Sequence, residues 1–215
     1  MPQTPDFQDE IIAVDEAAPR SLDVRAIVNM GGRYALASKR DMTGNRREFA
    51  CRAVNVSPML FTVAGPVSGP LGERVIAHFE DFGKIQGPIV RVMNRGFTFR
   101  IMASDDERNR LAAKIDWIDK NKTFEMRDAR DHKRIVPANP HSRLLFADGR
   151  TLGCFVIDVS SSGVAVSADA VPEIGEVLAV GKVVGRVVRH FAEGFAVQFI
   201  EIQDPQMLEQ RLVIL

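Results

Sequence analysis

The chain lacks the features that would place it at once in a secreted, membrane or cysteine-based class of protein. Its 215 residues include two cysteines, Cys51 and Cys154, which stand in separate apolar stretches and form no CxxC pair. They indicate neither a disulfide framework nor a cysteine-rich metal site, as is typical of a reducing cytoplasm. No apolar run approaches the roughly 18 residues that span a bilayer, and no basic region precedes an apolar one at the start of the sequence. We therefore expect a cytoplasmic protein without membrane insertion.

The chain also has no net excess of positive or negative charge, and aromatic residues are scarce. Lysine plus arginine equals aspartate plus glutamate at 28 each, and this balance argues against a general nucleic-acid or membrane-surface binder. Aromatic residues make up 7% of the chain, with a single tyrosine, which disfavours an oligonucleotide-binding barrel. We expect neither DNA nor RNA as a partner, and any anion site must be local.

The sequence shows no signature of catalysis or of metal binding. It has no nucleophile elbow, no cluster of metal ligands and no glycine-rich phosphate loop followed by a helix. His132 and His141 stand nine residues apart without matching cysteines or carboxylates, and we interpret them as surface side chains. The sequence therefore predicts no enzyme, no metal site and no cofactor.

Short strands dominate what is present. Residues 1–20 are acidic and contain three prolines, and we predict that they form a disordered arm. From Val24 onward, β-branched and aromatic runs such as Arg74–Phe79 alternate with glycine and proline breaks, which is typical of many short strands. The Asp148-Gly149 dipeptide between two apolar runs predicts a hairpin turn. The chain is expected to be mainly β.

One helix interrupts the strands. Ser104 and Glu107 form a capping box, and the apolar residues Leu111, Ile115 and Ile118 follow at spacings of four and three. This pattern predicts a helix from about Asp105 to Asp119. We interpret Trp117 as packing that helix onto a barrel rather than as a platform for a ligand.

The two halves of the chain resemble each other. The segment from Cys51 to Ser57 parallels the segment from Cys154 to Ser160, and a Gly-Glu pair follows seventeen residues after Asn55 and again after Asp158. Such a repeat predicts two copies of one β-rich unit. The copies occupy residues 21–122, ending in the linking helix, and residues 123–215.

Two motifs in the second copy carry recognisable chemistry. The first is an RxxxR spacing formed by Arg130 and Arg134, and the second is a DxSxxG motif formed by Asp158, Ser160 and Gly163. Arginine recognises phosphate and the guanine O6 and N7 atoms bidentately, and a carboxylate accepts hydrogen bonds from the guanine N1–H and N2–H₂ edge.

On a strand, Asp158 and Ser160 face the same side. If Cys154 and Val156 share that side, the face changes from apolar to polar at the end of the strand. Gly163 then provides either a positive φ or a close backbone approach. Together the two motifs suit a small, doubly anionic purine ligand.

These two motifs, followed by a strand ending at Arg189 and a closing strand Gly194–Phe199, resemble a PilZ domain over roughly residues 127–203. The resemblance implies a six-stranded antiparallel β-barrel that binds cyclic di-GMP on its outer surface. It implies that Arg130 and Arg134 clamp phosphates and guanine, that Asp158 and Ser160 bind the base edge, and that Gly163 leaves room for the base. Arg127, Lys133 and Arg189 are candidates for an assisting role.

The first copy departs from this pattern. Leu60 stands where the motif has glycine, Pro58 stiffens the turn, and no RxxxR pair precedes them. The first copy resembles a degenerate PilZ-like domain that keeps the scaffold without the full site. Its basic residues leave open a secondary site or a contribution to a composite one.

Two functions fit the whole sequence. The first is a cyclic di-GMP receptor without catalysis, in which the ligand changes the arrangement of the two domains and a protein partner of unknown identity senses the change. The alternative is a PilZ-like adaptor that binds no nucleotide and acts by protein contact.

Overall fold

The structure is a computed structural model that describes residues 24–120 and 135–213. The predicted N-terminal arm and the RxxxR motif lie outside the described residues. In chain order the described elements are β1 (Ala26–Arg40), β2 (Arg46–Val56), β3 (Leu60–Ala64), β4 (Arg74–Phe79), β5 (Gly83–Met93), β6 (Gly96–Arg100), α1 (Asp105–Lys120), β7 (His141–Phe146), β8 (Thr151–Ser160), β9 (Gly163–Ala168), β10 (Val177–Val180), β11 (Val183–Phe191), β12 (Gly194–Phe199) and α2 (Leu208–Leu212). Neither described helix has the length and apolar character needed to cross a membrane.

The described strands close into two antiparallel barrels of six strands each. The first has the order β1-β2-β3-β6-β5-β4, and the second has the order β7-β8-β9-β12-β11-β10. The strand order is therefore the same in both copies, with α1 following the first barrel and α2 the second. This confirms the predicted fold of two six-stranded barrels with a helix between them.

The repeat extends to the irregularities of the sheets. A β-bulge interrupts the pairing between Ala53 and Asn55 in β2, and the same bulge lies between Val156 and Asp158 in β8. A second pair of bulges precedes Arg91 in β5 and Arg189 in β11. Bulges of this kind redirect side chains locally, so both copies build their outer faces in the same way.

Each barrel has its own apolar core. The first core is rich in aromatic rings, and the second consists largely of valine and leucine. Cys51 and Cys154 occupy equivalent places in the two cores as buried free thiols, and burial raises the pKa of both. Each barrel therefore buries an apolar core of its own.

Helix α1 covers the first core through Ala112 and Ile115, which are buried. It begins as predicted, because the Ser104 N–H donates to Glu107 Oε2 (2.8 Å) and the Glu107 N–H donates to Ser104 Oγ (3.3 Å). It ends one residue later than predicted. The expected packing of Trp117 onto the barrel is wrong, since this side chain is 63% exposed. The helix turns its Ala112 and Ile115 face to the core instead.

The outer face of β2 forms the inter-barrel interface with β8, β9 and the chain around them. Arg47 donates through Nη2 to the carbonyls of Ala168 (2.8 Å) and Ala170 (2.7 Å). The Ala50 N–H donates to Ser167 Oγ (3.1 Å), and Arg52 Nη1 donates to the Pro137 carbonyl (2.6 Å). Ion pairs join Arg33 to Glu193, and Lys39 and Arg47 to Asp169. Basic residues of the first copy therefore bind the second barrel.

The close approach of β12 to β9 predicts a specific sensitivity to substitution. A Cβ at Gly194 would lie 2.0 Å from the Val166 carbonyl oxygen, whereas a Cβ at Gly153 would meet no atom within 4 Å. We expect Gly194→Ala to destabilise the second barrel by about 2–3 kcal/mol. Gly153→Ala should be neutral or stabilise the barrel by about 0.5 kcal/mol. Thermal unfolding of both variants measures this, and equal melting temperatures would contradict the packing described.

Candidate ligand-binding site

The bulge in β8 decides where the DxSxxG motif points. Val156 and Val159 both lie in the core although their positions are three apart in the sequence, because the bulge inserts an extra residue before Asp158. Asp158 and Ser160 consequently face the outside of the barrel, where both line one cavity. They share a face as predicted. Cys154 and Val156 do not share that face, because they lie in the core and the bulge reverses the alternation.

The cavity is a shallow depression of about 230 Å³ on the outer surface of the second barrel. Four neighbouring strands contribute one row of residues to it: Asp158 pairs with Ala165, Ala165 with Ala196, and Ala196 with Arg189. Alanine side chains thus form a low floor between a carboxylate on β8 and a guanidinium on β11. The assisting candidate Arg189 lies at the same cavity as Asp158 and Ser160.

Gly163 shapes the turn between β8 and β9. Its φ is not positive, and a Cβ built on it would lie 2.8 Å from the Val197 carbonyl oxygen. Of the two roles expected for this glycine, the close backbone approach is the one observed. Ser160 Oγ lies 3.3 Å from Ser162 Oγ and 3.4 Å from the Gly163 carbonyl oxygen, so the hydroxyl stands at the rim of the cavity with weak local contacts.

The chain enters the second barrel beside this cavity. Ile135 forms an antiparallel bridge with Val159, in which the Ile135 N–H donates to the Val159 carbonyl (2.7 Å) and the Val159 N–H donates to the Ile135 carbonyl (2.9 Å). Val159 stands between Asp158 and Ser160. Arg127, Arg130, Lys133 and Arg134 lie outside the described residues, so their contacts stay predictions. The residue that follows Arg134 is nevertheless joined directly to the DxSxxG strand.

Residues 135–140, which we call the anchored segment, are held at further points. The Pro137 carbonyl accepts from Arg52, the Ala138 N–H donates to Glu209 Oε1 (2.6 Å), and the Pro140 carbonyl accepts from the Val156 N–H (2.6 Å). The prolines in the sequence predicted an extended chain or loop here. They gave no sign that β2 and α2 would fix it, because Arg52 and Glu209 are distant in sequence.

The equivalent surface of the first barrel has no such floor. Leu60, Thr62 and Thr98 stand where the second barrel has Gly163, Ala165 and Ala196, and the two threonine hydroxyls lie 2.9 Å apart. Asn55 and Arg91 complete the row. Larger side chains thus fill the depression while the strand geometry is kept, which gives a physical basis for the predicted degeneracy of this copy.

Several cavity residues were not recognised from the sequence. Ala165, Ala196 and Gln198 line the depression together with Val188. Each alternates with a core residue of its strand, which is the ordinary pattern of a half-buried strand. The one available signal was the run of small residues at the outward positions Gly163, Ala165 and Ala196.

His141 lies near the inter-barrel interface and is more buried than expected. Its ring packs edge-on against Phe155, with centroids 5.7 Å apart. Burial, together with the charges of Arg95 and Arg52, lowers its pKa to about 4. Among the described residues no group of three or more His, Cys, Asp or Glu side chains could hold a metal ion.

The environment of His141 predicts a pH dependence. Because the folded pKa lies below the ordinary value of 6.5, the unfolded chain binds a proton first. The free energy of unfolding should therefore fall as the pH decreases from about 6.5 towards about 4. An NMR titration of the ring should show a midpoint near the lower value, and Arg95→Met should raise it. A wild-type midpoint near 6.5 would contradict the burial described.

Residues 128–214 match the family model of the PilZ domain. The match covers the second barrel and the sequence that leads into it, which is less than half of the chain. No curated protein matches the chain.

Solved structures that resemble the chain share little sequence with it. The PlzA protein of Borreliella burgdorferi, in complex with c-di-GMP, is 10% identical, covers 86% of this chain and 86% of its own, and has a TM-score of 0.26. The inhibitor of motility of Bacillus subtilis (MotI/DgrA) is 11% identical, with 86% and 93% covered and a TM-score of 0.28. YcgR of Escherichia coli, in complex with c-di-GMP, is 10% identical, with 86% and 80% covered and a TM-score of 0.24. At such TM-scores these likenesses carry no weight for this chain.

Proposed function

We propose that the second barrel binds cyclic di-GMP and that the chain is a receptor for this second messenger. The observation that carries the proposal is the bridge between Ile135 and Val159. Ile135, the residue that follows Arg134 in the sequence, pairs with Val159, which separates Asp158 from Ser160. This pairing supports a site shared by the two motifs, although 24 positions separate Arg134 from Asp158 in the sequence.

The chemistry of the cavity fits one guanine base. Its low floor of Gly163, Ala165 and Ala196 leaves space for a flat ring against the sheet. Asp158 supplies the carboxylate that accepts from the N1–H and N2–H₂ edge, and Ser160 adds a hydroxyl at the rim. The two motif arginines bind the phosphates and the remaining guanine edge, since arginine serves both bidentately.

These contacts are of the size that micromolar affinity requires. A hydrogen bond to a charged group contributes about 1.5–3 kcal/mol, and micromolar binding requires about 8 kcal/mol. Three or four such bonds contribute roughly 5–12 kcal/mol before the loss of freedom on binding is subtracted. The barrel supplies a preformed half of the site, and the arginine segment supplies the other half.

The position of the arginine segment links binding to domain arrangement. Residues 121–134 connect α1, which packs on the first barrel, to the anchored segment of the second. A ligand that engages Arg130 and Arg134 thereby acts on the stretch of chain that connects the two domains. We infer that the change in their arrangement is what a protein partner senses.

Isothermal titration with cyclic di-GMP tests the binding proposal. The wild-type chain should bind at micromolar concentration or below, and Asp158→Ala and Arg134→Ala should each weaken binding by about tenfold or more. Asn55→Ala, which alters the equivalent position of the filled first-barrel surface, is the matched control and should leave the affinity unchanged. Absence of binding by the folded wild-type chain would favour the adaptor alternative. Undiminished binding by Arg134→Ala would contradict the site.

Small-angle scattering tests the relay. The curves of the wild-type chain with and without saturating cyclic di-GMP should differ, because the ligand engages the connection between the domains. Arg134→Ala provides the control, and its curve should not respond to the same ligand concentration. Superimposable wild-type curves under conditions where calorimetry shows saturation would contradict a relay by domain rearrangement.

A further inference from the structure

Arg52 is a buried cation contributed by the first barrel to the anchored segment of the second. It is 5% exposed, donates through Nη1 to the Pro137 carbonyl (2.6 Å) and lies over the Phe155 ring, with Cζ 5.7 Å from the centroid. Its Nη2 is buried and has no hydrogen-bond partner among the described residues. A guanidinium carries five N–H donors, and burying one with so few partners is unfavourable. A contribution to the stability of the interface is therefore not enough to explain why a buried arginine occupies this position.

The Pro137 carbonyl, to which Arg52 donates, lies close in sequence to the RxxxR motif. Pro137 follows Arg134 by three residues. Proline has a fixed φ and no N–H, so its carbonyl is its one backbone hydrogen-bonding group. The other described contacts that fix the anchored segment come mainly from the second barrel and from α2. From the first barrel, Arg95 adds a long contact of 3.5 Å to the Asn139 side chain. Arg52 is therefore the short, buried link from the first barrel.

We propose that Arg52 is a positioning residue for the cyclic di-GMP site, holding the Pro137 carbonyl so that the anchored segment stays paired with the strand that carries Asp158. The inference rests on the proposed function and deepens it. The degenerate first barrel, which has lost the floor of its own cavity, then contributes to the affinity of the second. By thermodynamic linkage, ligand bound at the site strengthens the contact between Arg52 and Pro137 to the same extent.

Arg47 offers a matched comparison on the same strand. It also crosses the inter-barrel interface from β2 and also donates to backbone carbonyls, those of Ala168 and Ala170. Those carbonyls belong to the end of β9 and the residues after it, away from the anchored segment. A substitution of Arg47 therefore measures the effect of losing an interface arginine that does not contact the anchored segment.

The test compares Arg52→Met with Arg47→Met, both of which remove a cation and keep an unbranched apolar chain. Calorimetry should show cyclic di-GMP affinity weakened about tenfold in Arg52→Met and changed less than about twofold in Arg47→Met. Hydrogen exchange provides a second readout without ligand. The Ile135 amide, which donates to Val159, should exchange faster in Arg52→Met and at the wild-type rate in Arg47→Met.

Arg52→Lys is a second variant that keeps the proposal testable if Arg52→Met fails to fold. Its ammonium retains a donor near the Pro137 carbonyl, so affinity should stay within about threefold of wild type. Equal weakening by Arg47→Met and Arg52→Met would overturn the inference, as would weaker binding without faster exchange at Ile135. If the wild-type chain binds no cyclic di-GMP, the proposed function fails. The exchange comparison then still decides whether Arg52 positions the segment.

Discussion

The pair of hydrogen bonds between Ile135 and Val159 is the constraint on which the candidate site depends. It attaches the chain that follows the RxxxR motif to the one residue that separates Asp158 from Ser160. Without it, the chain that follows the first motif would have no defined position relative to the second. Arg52 and Glu209 hold the next residues, so the anchoring draws on the first barrel and on α2 as well.

The bulge in β8 is the second requirement. It keeps Val156 and Val159 in the core while turning Asp158 and Ser160 outward, over a floor of glycine and alanine. The first barrel has the same bulge but larger residues at the floor positions, Leu60, Thr62 and Thr98. The first barrel thus differs from the second at outward positions while it keeps a core of its own. The basic residues of this copy have a different role, since several bind the second barrel.

Much of the fold was predictable because local signals agree with it. The capping box before α1, the Asp148-Gly149 turn and the repeat between Cys51–Ser57 and Cys154–Ser160 all correspond to observed elements. The face of Asp158 was not predictable, because the residues from Cys154 to Ile157 are all apolar and an inserted residue leaves no mark in such a run. The contact of Arg52 with Pro137 joins residues 85 positions apart, and no local pattern specifies a partner at that distance.

A crystal structure of the chain with cyclic di-GMP tests the proposed convergence of the two motifs most directly. We expect a guanine lying on Gly163, Ala165 and Ala196, its edge hydrogen-bonded to Asp158, with the guanidinium groups of Arg130 and Arg134 on the phosphates and the other base edge. The bridge between Ile135 and Val159 should be intact. A ligand bound elsewhere, or bound at this cavity with both arginines directed away from it, would contradict the site.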